Sequence, residues 1–312
     1  MTSIKLLDKE LPVKLDWLRS FLAVAELESF TKAAKQLQIS QPAVSTHIRE
    51  LEENLHVRLF EKIGSRTRLS LSGEVVVGEA RAIVQGVRHL RDMALESETG
   101  IGGILSVGAS TTPGNYVLPR LLGEFERLYP AVRTHLVIGN SARILDRLRA
   151  NEVDLGAVGI NPASDEFVTR PLCDDELVVF APLRHPLSRR RVQIPAADLL
   201  RERFILREAD SATRRLTESW FASQKAAPTI MELGCPETVK RAVGAGLGLG
   251  ILTKFAIAPE AGERDFAVLR VPGFPIRRSL YMAHLRQKRL TRTMTAFLDL
   301  LKTSKHLPRT SR

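Results

Sequence analysis

Gln41, Ser45, Thr46 and Arg49 have side-chain types and spacing suited to reading a nucleic acid. They share a segment with Ala43, Val44, Ile48, Leu51 and Leu55. At helical period the apolar set turns inward and the polar set outward. Short donors and acceptors near a helix start match base edges in a DNA major groove, and cations beside them match phosphate. Gln41, Pro42, Ser45 and Thr46 are therefore candidates for groove contacts, and Arg49 for phosphate. A polar surface helix of an enzyme carries the same pattern, so the pattern alone leaves both readings open. A second chemical set lies further along, at Ser110-Thr111-Thr112, Gly139-Asn140-Ser141 and Ser211-Ala212-Thr213. Each is a short polar turn between an expected strand and an expected helix, where free N–H groups favour small anions. Their hydroxyls suit a carboxylate, sulfate or phosphate, and Pro113 rigidifies the first turn. Taken singly, each turn is also an ordinary helix cap. Arg207 lies near the third turn, placed either to neutralise a ligand or to form a structural ion pair.

The elements that must position the first set are legible around it. Asp16 opens a helix with Leu18, Phe21, Leu22, Val24 and Ala25 on its apolar face, and Ser29 caps the next. Ala33, Ala34 and Leu37 give that second helix an inward stripe, and Ile39 is expected to plug the turn after it. Ser40 is the N-cap of the third helix, with Pro42 in the first turn where its missing N–H costs nothing. Val57–Lys62 and Gly64–Leu71 lean towards β structure around a Gly-Ser turn, which predicts a hairpin wing whose Arg66 and Arg68 reach phosphate. A solvated loop is the alternative.

Ser72 is the expected cap of a long helix. Its apolar positions Val76, Ala80, Ile83, Val87, Leu90 and Ala94 step by four and three, a heptad seam. One helix cannot bury such a seam by itself, which predicts a homodimer through residues 73–97; packing against the chain's own domain is the alternative. Glu98–Gly103 ends the helix in a glycine-rich joint. Three parts follow: a DNA-binding domain over 1–72, a dimerisation helix over 73–99, and an α/β domain over 100–312. From Ile104 strands and helices alternate, predicting largely parallel sheets. The length suits two lobes, about 103–172 plus 276–302 and 173–275, with crossings near Leu172 and Pro275.

Composition narrows the function. The chain has 312 residues, 44% hydrophobic and 26% charged, and a formal net charge of +11. Residues 1–98 carry 14 cations and 14 anions, so the excess lies outside the proposed DNA-binding part. Net charge adds non-specific attraction to nucleic acid but does not carry the argument. Neither a signal peptide nor an apolar run long enough to span a bilayer is seen, so a cytoplasmic protein with no membrane partner is expected. Cys173 and Cys235 have no metal-like spacing, and no metal or cofactor is expected. They leave a thiol-based redox regulator as an alternative. Gly244–Gly250 lacks the dinucleotide-binding spacing and reads as a helix end entering a strand. The histidines are scattered and no catalytic grouping stands out, so an enzyme is not expected. A solute-binding protein without a DNA role would fit the α/β half but not the helix pair.

The string Leu18…Phe21…Val24-Ala25-Glu26…Ser29-Phe30-Thr31…Ala33-Ala34…Leu37…Ser40-Gln41-Pro42-Ala43-Val44-Ser45…Ile48…Leu51-Glu52…Leu55…Leu59-Phe60 resembles the winged helix-turn-helix of LysR-type transcriptional regulators. Arg66…Leu69-Ser70-Leu71-Ser72-Gly73 is similar to its wing. Gly108-Ala109-Ser110, Arg207-Glu208…Ser211…Thr213-Arg214 and Ala245-Gly246-Leu247-Gly248…Ile251 extend the resemblance over almost the whole chain. It implies promoter DNA as partner, a dimer of dimers (a homotetramer), and a two-lobed effector domain shaped like a periplasmic solute receptor. In such a fold the three polar turns converge. Ser110, Thr111, Thr112, Asn140, Ser141, Arg207, Ser211 and Thr213 would then line a cleft for a small anionic metabolite. The stretch Ser110–Pro119 is similar to the subgroup governing sulfur assimilation or carbon fixation. Thr46 and His47 depart from the family's usual basic or amide residues, so they mark where base preference would differ.

Overall fold

A computed structural model describes residues 13–63, 66–190, 192–257, 265–305 and 307. The chain divides into two compact units with a boundary at Ala94/Leu95. The first begins with helix α1 (Leu15–Leu27), whose Trp17, Leu18, Phe21 and Val24 are buried. It stops at Glu28, in the left-handed region. Helix α2 (Phe30–Leu37) starts where the Ser29 hydroxyl accepts from Lys32 N, and α3 (Gln41–Leu55) where the Ser40 hydroxyl accepts from Ala43 N. The three helices close on one core of Phe21, Val24, Ala33, Val44, Ile48, Leu51 and Leu59. Ile39 does not plug the α2–α3 turn: it is 38% exposed. The backbone closes the turn instead, with Gln38 N donating to Lys35 O and Ile39 N to Ala34 O.

Strands β1 (Phe60–Ile63) and β2 (Arg66–Leu69) form an antiparallel hairpin. The Gly64-Ser65 turn, the Arg66 side chain and residues 1–12 lie outside what is described. Helix α4 (Leu71–Thr99) follows at once, and its cap is Ser70 rather than Ser72. The Ser70 hydroxyl accepts from Gly73 N at 3.0 Å and donates to Arg58 O at 2.5 Å, tying helix start to wing. The heptad seam divides. Ala80 is buried in the unit's own core with Val76, Val77 and Val84 against it, whereas Ile83, Val87 and Leu90 are exposed, as are Leu71 and Val75 nearer the start. The alternative of packing on the chain's own domain therefore holds for the first half of the seam.

The second unit starts with strand β3 (Gly103–Ser110), the short helix α5 (Thr111–Tyr116), α6 (Leu118–Leu128), β4 (Val132–Gly139), α7 (Ser141–Arg149) and β5 (Leu155–Val158). Strand β6 (Phe167–Pro182) is one 16-residue strand running through the expected crossing at Leu172. Beyond it lie α8 (Ala196–Leu199), β7 (Phe204–Leu206), α9 (Ala212–Ser223), β8 (Ile230–Glu232), α10 (Pro236–Gly244), β9 (Leu249–Thr253), α11 (Lys254–Ile257) and β10 (Phe266–Val268). Strand β11 (Ile276–Leu285) returns, and α12 (Arg292–Thr303) packs Met294, Phe297 and Leu298 onto the core of β3, β5 and α6.

The strand order is β4-β3-β5-β11-β6-β9-β7-β8, with β10 on β6. Pairs β3–β4, β3–β5, β7–β8 and β7–β9 are parallel as expected. The centre is not. Strand β11 runs antiparallel to its neighbours β5 and β6, and β6 antiparallel to its other neighbour β9. Two chain segments that cross between the lobes in opposite directions pair antiparallel, which a rule based on strand–helix alternation does not anticipate. Their register slips between Leu280 and Tyr281. The glycine-rich stretch is the expected helix-to-strand junction, with Gly246 at φ +82° ahead of β9.

Candidate functional site

On α3, Gln41, Pro42, Thr46 and Arg49 are exposed and Ser45 is half-buried. Gln41 Nε2 donates to Ser45 Oγ at 2.9 Å, so these two polar groups one turn apart act as a unit. Arg49 lies 3.9 Å from Glu53, a pair too solvated to hold it from another partner. His47 does not join the outward face. Its Nδ1 sits 2.8 Å from the Oγ of buried Ser20 on α1, because one step past Thr46 the helix has turned back towards the bundle. Of the two residues that depart from the family pattern, only Thr46 lies on the exposed face of α3.

The wing is gripped by Glu52, which has no individual role in the sequence reading. Its Oε1 accepts from Leu59 N at 2.7 Å and Phe60 N at 3.4 Å, while Oε2 pairs with Arg58 at 3.1 Å. These bonds fix where the hairpin leaves α3, and hence where exposed Arg68 on β2 is carried. Glu52→Ala strips a buried amide of its acceptor. The expected result is a loss of about 1–3 kcal/mol in the N-terminal unit, measured as an earlier urea transition; an unshifted transition would exclude this role.

In the second unit, three strand ends meet. Ser110, Thr111, Thr112, Asn140, Ser141, Arg207, Ser211 and Thr213 line one narrow cleft, together with Gly159, Glu208, Ala212 and Arg278. Asn140 Oδ1 accepts from Arg143 N at 2.8 Å and so caps α7, while Ser141 Oγ accepts from Gly159 N at 3.3 Å. Ser211 stands at the N-cap of α9, with no side-chain capping bond.

Two buried guanidiniums stitch these turns together. Arg207, 4% exposed, donates from Nη2 to Thr111 Oγ1 at 3.2 Å. It also meets Glu208 in a bidentate pair, Nε to Oε2 and Nη2 to Oε1, both at 2.7 Å. The structural ion pair expected as one alternative for Arg207 is thus present, and the residue also lines the cleft. Arg278 donates from Nη2 to Thr112 Oγ1 at 3.1 Å and from Nη1 to Thr213 Oγ1 at 3.4 Å. Its Nε donates to Asp175 Oδ2 at 2.7 Å, and Thr253 Oγ1 donates to Asp175 Oδ1. A threonine hydroxyl that accepts from a guanidinium keeps its own proton to donate. Thr111 gives that proton to Gly139 O at 3.5 Å, and Arg278 leaves Thr112 and Thr213, from both halves of the sheet, as donors. Formal charge balances, two guanidiniums against Glu208 and Asp175.

Sequence reasoning missed Arg278. Within Ile276-Arg277-Arg278-Ser279 it reads as surface charge, and only its register opposite Asp175 across β11 and β6 brings it to the cleft. At the same junction Tyr116 on α5 donates to Glu237 on α10 at 3.0 Å. Its phenol is pushed well above the usual tyrosine range, first by burial and then by that carboxylate. Cys173 is buried, and its thiol is pushed up to about 12 by burial and by the charges of Asp175 and Asp174. A thiol so rarely ionised is a poor redox sensor; Cys235 is exposed.

The model of the bacterial regulatory helix-turn-helix family of LysR type matches residues 15–74, and that of the LysR substrate binding domain matches residues 98–305. The chain belongs to the LysR family. It is 37% identical to the RuBisCO operon transcriptional regulator of Allochromatium vinosum over 93% of this chain and 95% of that protein. It is 35% identical to the transcriptional activator CmpR of Synechocystis, over 90% and 92%. The solved regulatory domain of Synechocystis CcmR, in complex with 2-PG, superimposes with a TM-score of 0.61 at 34% identity, covering 66% of this chain and all of that one. This LysR-family chain is accordingly a DNA-binding transcriptional regulator rather than an enzyme, with a winged helix-turn-helix and a two-lobed α/β effector domain. Among its described residues no helix is long and apolar enough to cross a membrane.

Proposed function

We propose that the chain binds promoter DNA as a cytoplasmic homotetramer whose contacts are altered by a small anionic metabolite held in the cleft. Gln41, Pro42, Ser45 and Thr46 meet the groove; Arg49, Arg66 and Arg68 meet phosphate. The division is at 72 and 99, with the long helix pairing with a second copy. The exposed line of Leu71, Val75, Ile83, Val87 and Leu90 supports that pairing, since an apolar face of this length on one helix calls for a cover. The effector domain, 100–312, holds lobes at about 103–172 plus 276–302 and 173–275.

One observation carries the effector reading: polar turns from three separate strand ends face one cleft, and two buried guanidiniums polarise hydroxyls at two of them. An oxyanion is the ligand such donors accept without leaving any of them unpaired. The relatives named for RuBisCO operons, and the CcmR domain holding 2-PG, support carbon assimilation as the process and 2-PG as the first ligand to test. The ligand acts by binding two lobe arrangements unequally. Calorimetry should show wild type binding 2-PG, and Thr213→Ala or Thr111→Ala binding it about 10- to 100-fold more weakly, the worth of a hydrogen bond to a charged group. Full affinity in both variants, or no binding of 2-PG, phosphate or sulfate by wild type, would overturn the assignment.

A further inference from the structure

We infer that Glu208 is a built-in occupant of the anion site, a carboxylate that holds Arg207 until an oxyanion ligand displaces it. The inference rests on the anion-cleft reading above and specifies how that site is set. Both oxygens of Glu208 lie on the Nε–Nη2 edge of Arg207 at 2.7 Å, the fork-to-fork arrangement that a carboxylate or phosphoryl ligand would itself adopt. The two partners differ in burial, the Arg207 side chain 4% and the Glu208 side chain 30% exposed. The guanidinium is fixed and the carboxylate faces the opening.

The backbone around the pair is held independently of it. Arg214 Nη1 donates to Arg207 O at 2.9 Å, Leu233 N to Leu206 O at 2.9 Å, and Ser211 N to Glu208 O at 3.0 Å. Glu208 can thus leave by side-chain rotation while Arg207 stays anchored against Thr111. Charge gives the exchange its direction. With Asp175 neutralising Arg278 from beneath, the cleft has no net charge while Glu208 is in place. It gains a positive charge at the ligand position only when Glu208 swings out. The native carboxylate therefore lowers affinity for every anion and favours those with two coplanar oxygens able to take its place on Arg207.

The test is titration calorimetry of the full chain and of Glu208→Gln with 2-PG, inorganic phosphate and acetate at fixed ionic strength. Removing the competing charge should tighten binding about tenfold. Whichever of phosphate and acetate shares the gain identifies the oxyanion that lies on Arg207. A structural role for Glu208 can lower affinity but not raise it. Equal or weaker binding by a variant that unfolds like wild type therefore overturns the inference and leaves the anion cleft standing. No binding by either protein overturns both. If Glu208→Gln does not fold, Glu208→Asp answers the question: a shorter carboxylate that spans the fork poorly should give a smaller gain, and a loss overturns the inference.

Discussion

Replacing Arg278 with methionine is expected to destabilise the effector domain by about 3–5 kcal/mol, the penalty for orphaning one member of a buried ion pair. Its side chain is 7% exposed and that of its partner Asp175 not at all. Methionine fills much of the volume but leaves Asp175 with Thr253 as its remaining side-chain donor in the pair's network. It also removes donors from Thr112 and Thr213, one on each side of the cleft. The damage comes from the uncompensated charge more than from lost packing, and that separates two outcomes. In Arg278→Met with Asp175→Asn the orphaned charge is gone, so most of the lost stability should return, to within about 2 kcal/mol of wild type. Ligand affinity should not return, because the hydroxyls remain unoriented. Urea unfolding of the effector domain measures the first effect and calorimetry the second. A single variant within about 1 kcal/mol of wild type would mean that the pair contributes little.

What the sequence made legible was local. Each of the three polar turns joins a strand end to a helix start within a few residues, and the hydroxyls, Asn140 and Arg207 are all found at the cleft. The helix pair was readable for the same reason, since caps at Ser29 and Ser40 and an apolar stripe act within one or two turns. What stayed hidden depends on distant chain. Arg278 meets Asp175 across a separation of 103 residues, through the antiparallel register of two crossing strands. Glu208 stood beside Arg207 in plain view, but adjacency does not say whether a carboxylate turns back onto its neighbour. The seam on α4 was visible as a repeat, yet a repeat on one helix does not tell which turns face the chain's own core. Ser70, not Ser72, is the cap, and its hydroxyl bonds both Gly73 N and Arg58 O, 12 residues back in the chain. His47 turned inward because Ser20, 27 residues away, offers a hydroxyl there.

On the recognition helix, Ser45→Arg is expected to reduce specific operator binding by more than about 100-fold, while the oligomer seen by gel filtration stays intact. Ser45 is half-buried and already accepts from Gln41, so a long cation in its place both breaks that pair and occupies the space a base edge would fill. Gln41→Ala is the milder version. It removes the amide without adding bulk and should lower affinity by about 1–3 kcal/mol, mostly through one base pair whose preference relaxes. Arg68→Ala should behave differently. Arg68 is exposed on β2, at the register position opposite Glu61, and is proposed to meet the DNA backbone rather than a base. Its loss should weaken all sequences alike and reduce the slope of log affinity against log salt by about one. Fluorescence anisotropy on an operator selected from random DNA, run at three salt concentrations with every single-base variant, separates the two behaviours. A Gln41→Ala protein that weakens all sequences uniformly, or an Arg68→Ala protein that relaxes one position, would reverse the assignment of α3 to base reading and of the wing to phosphate.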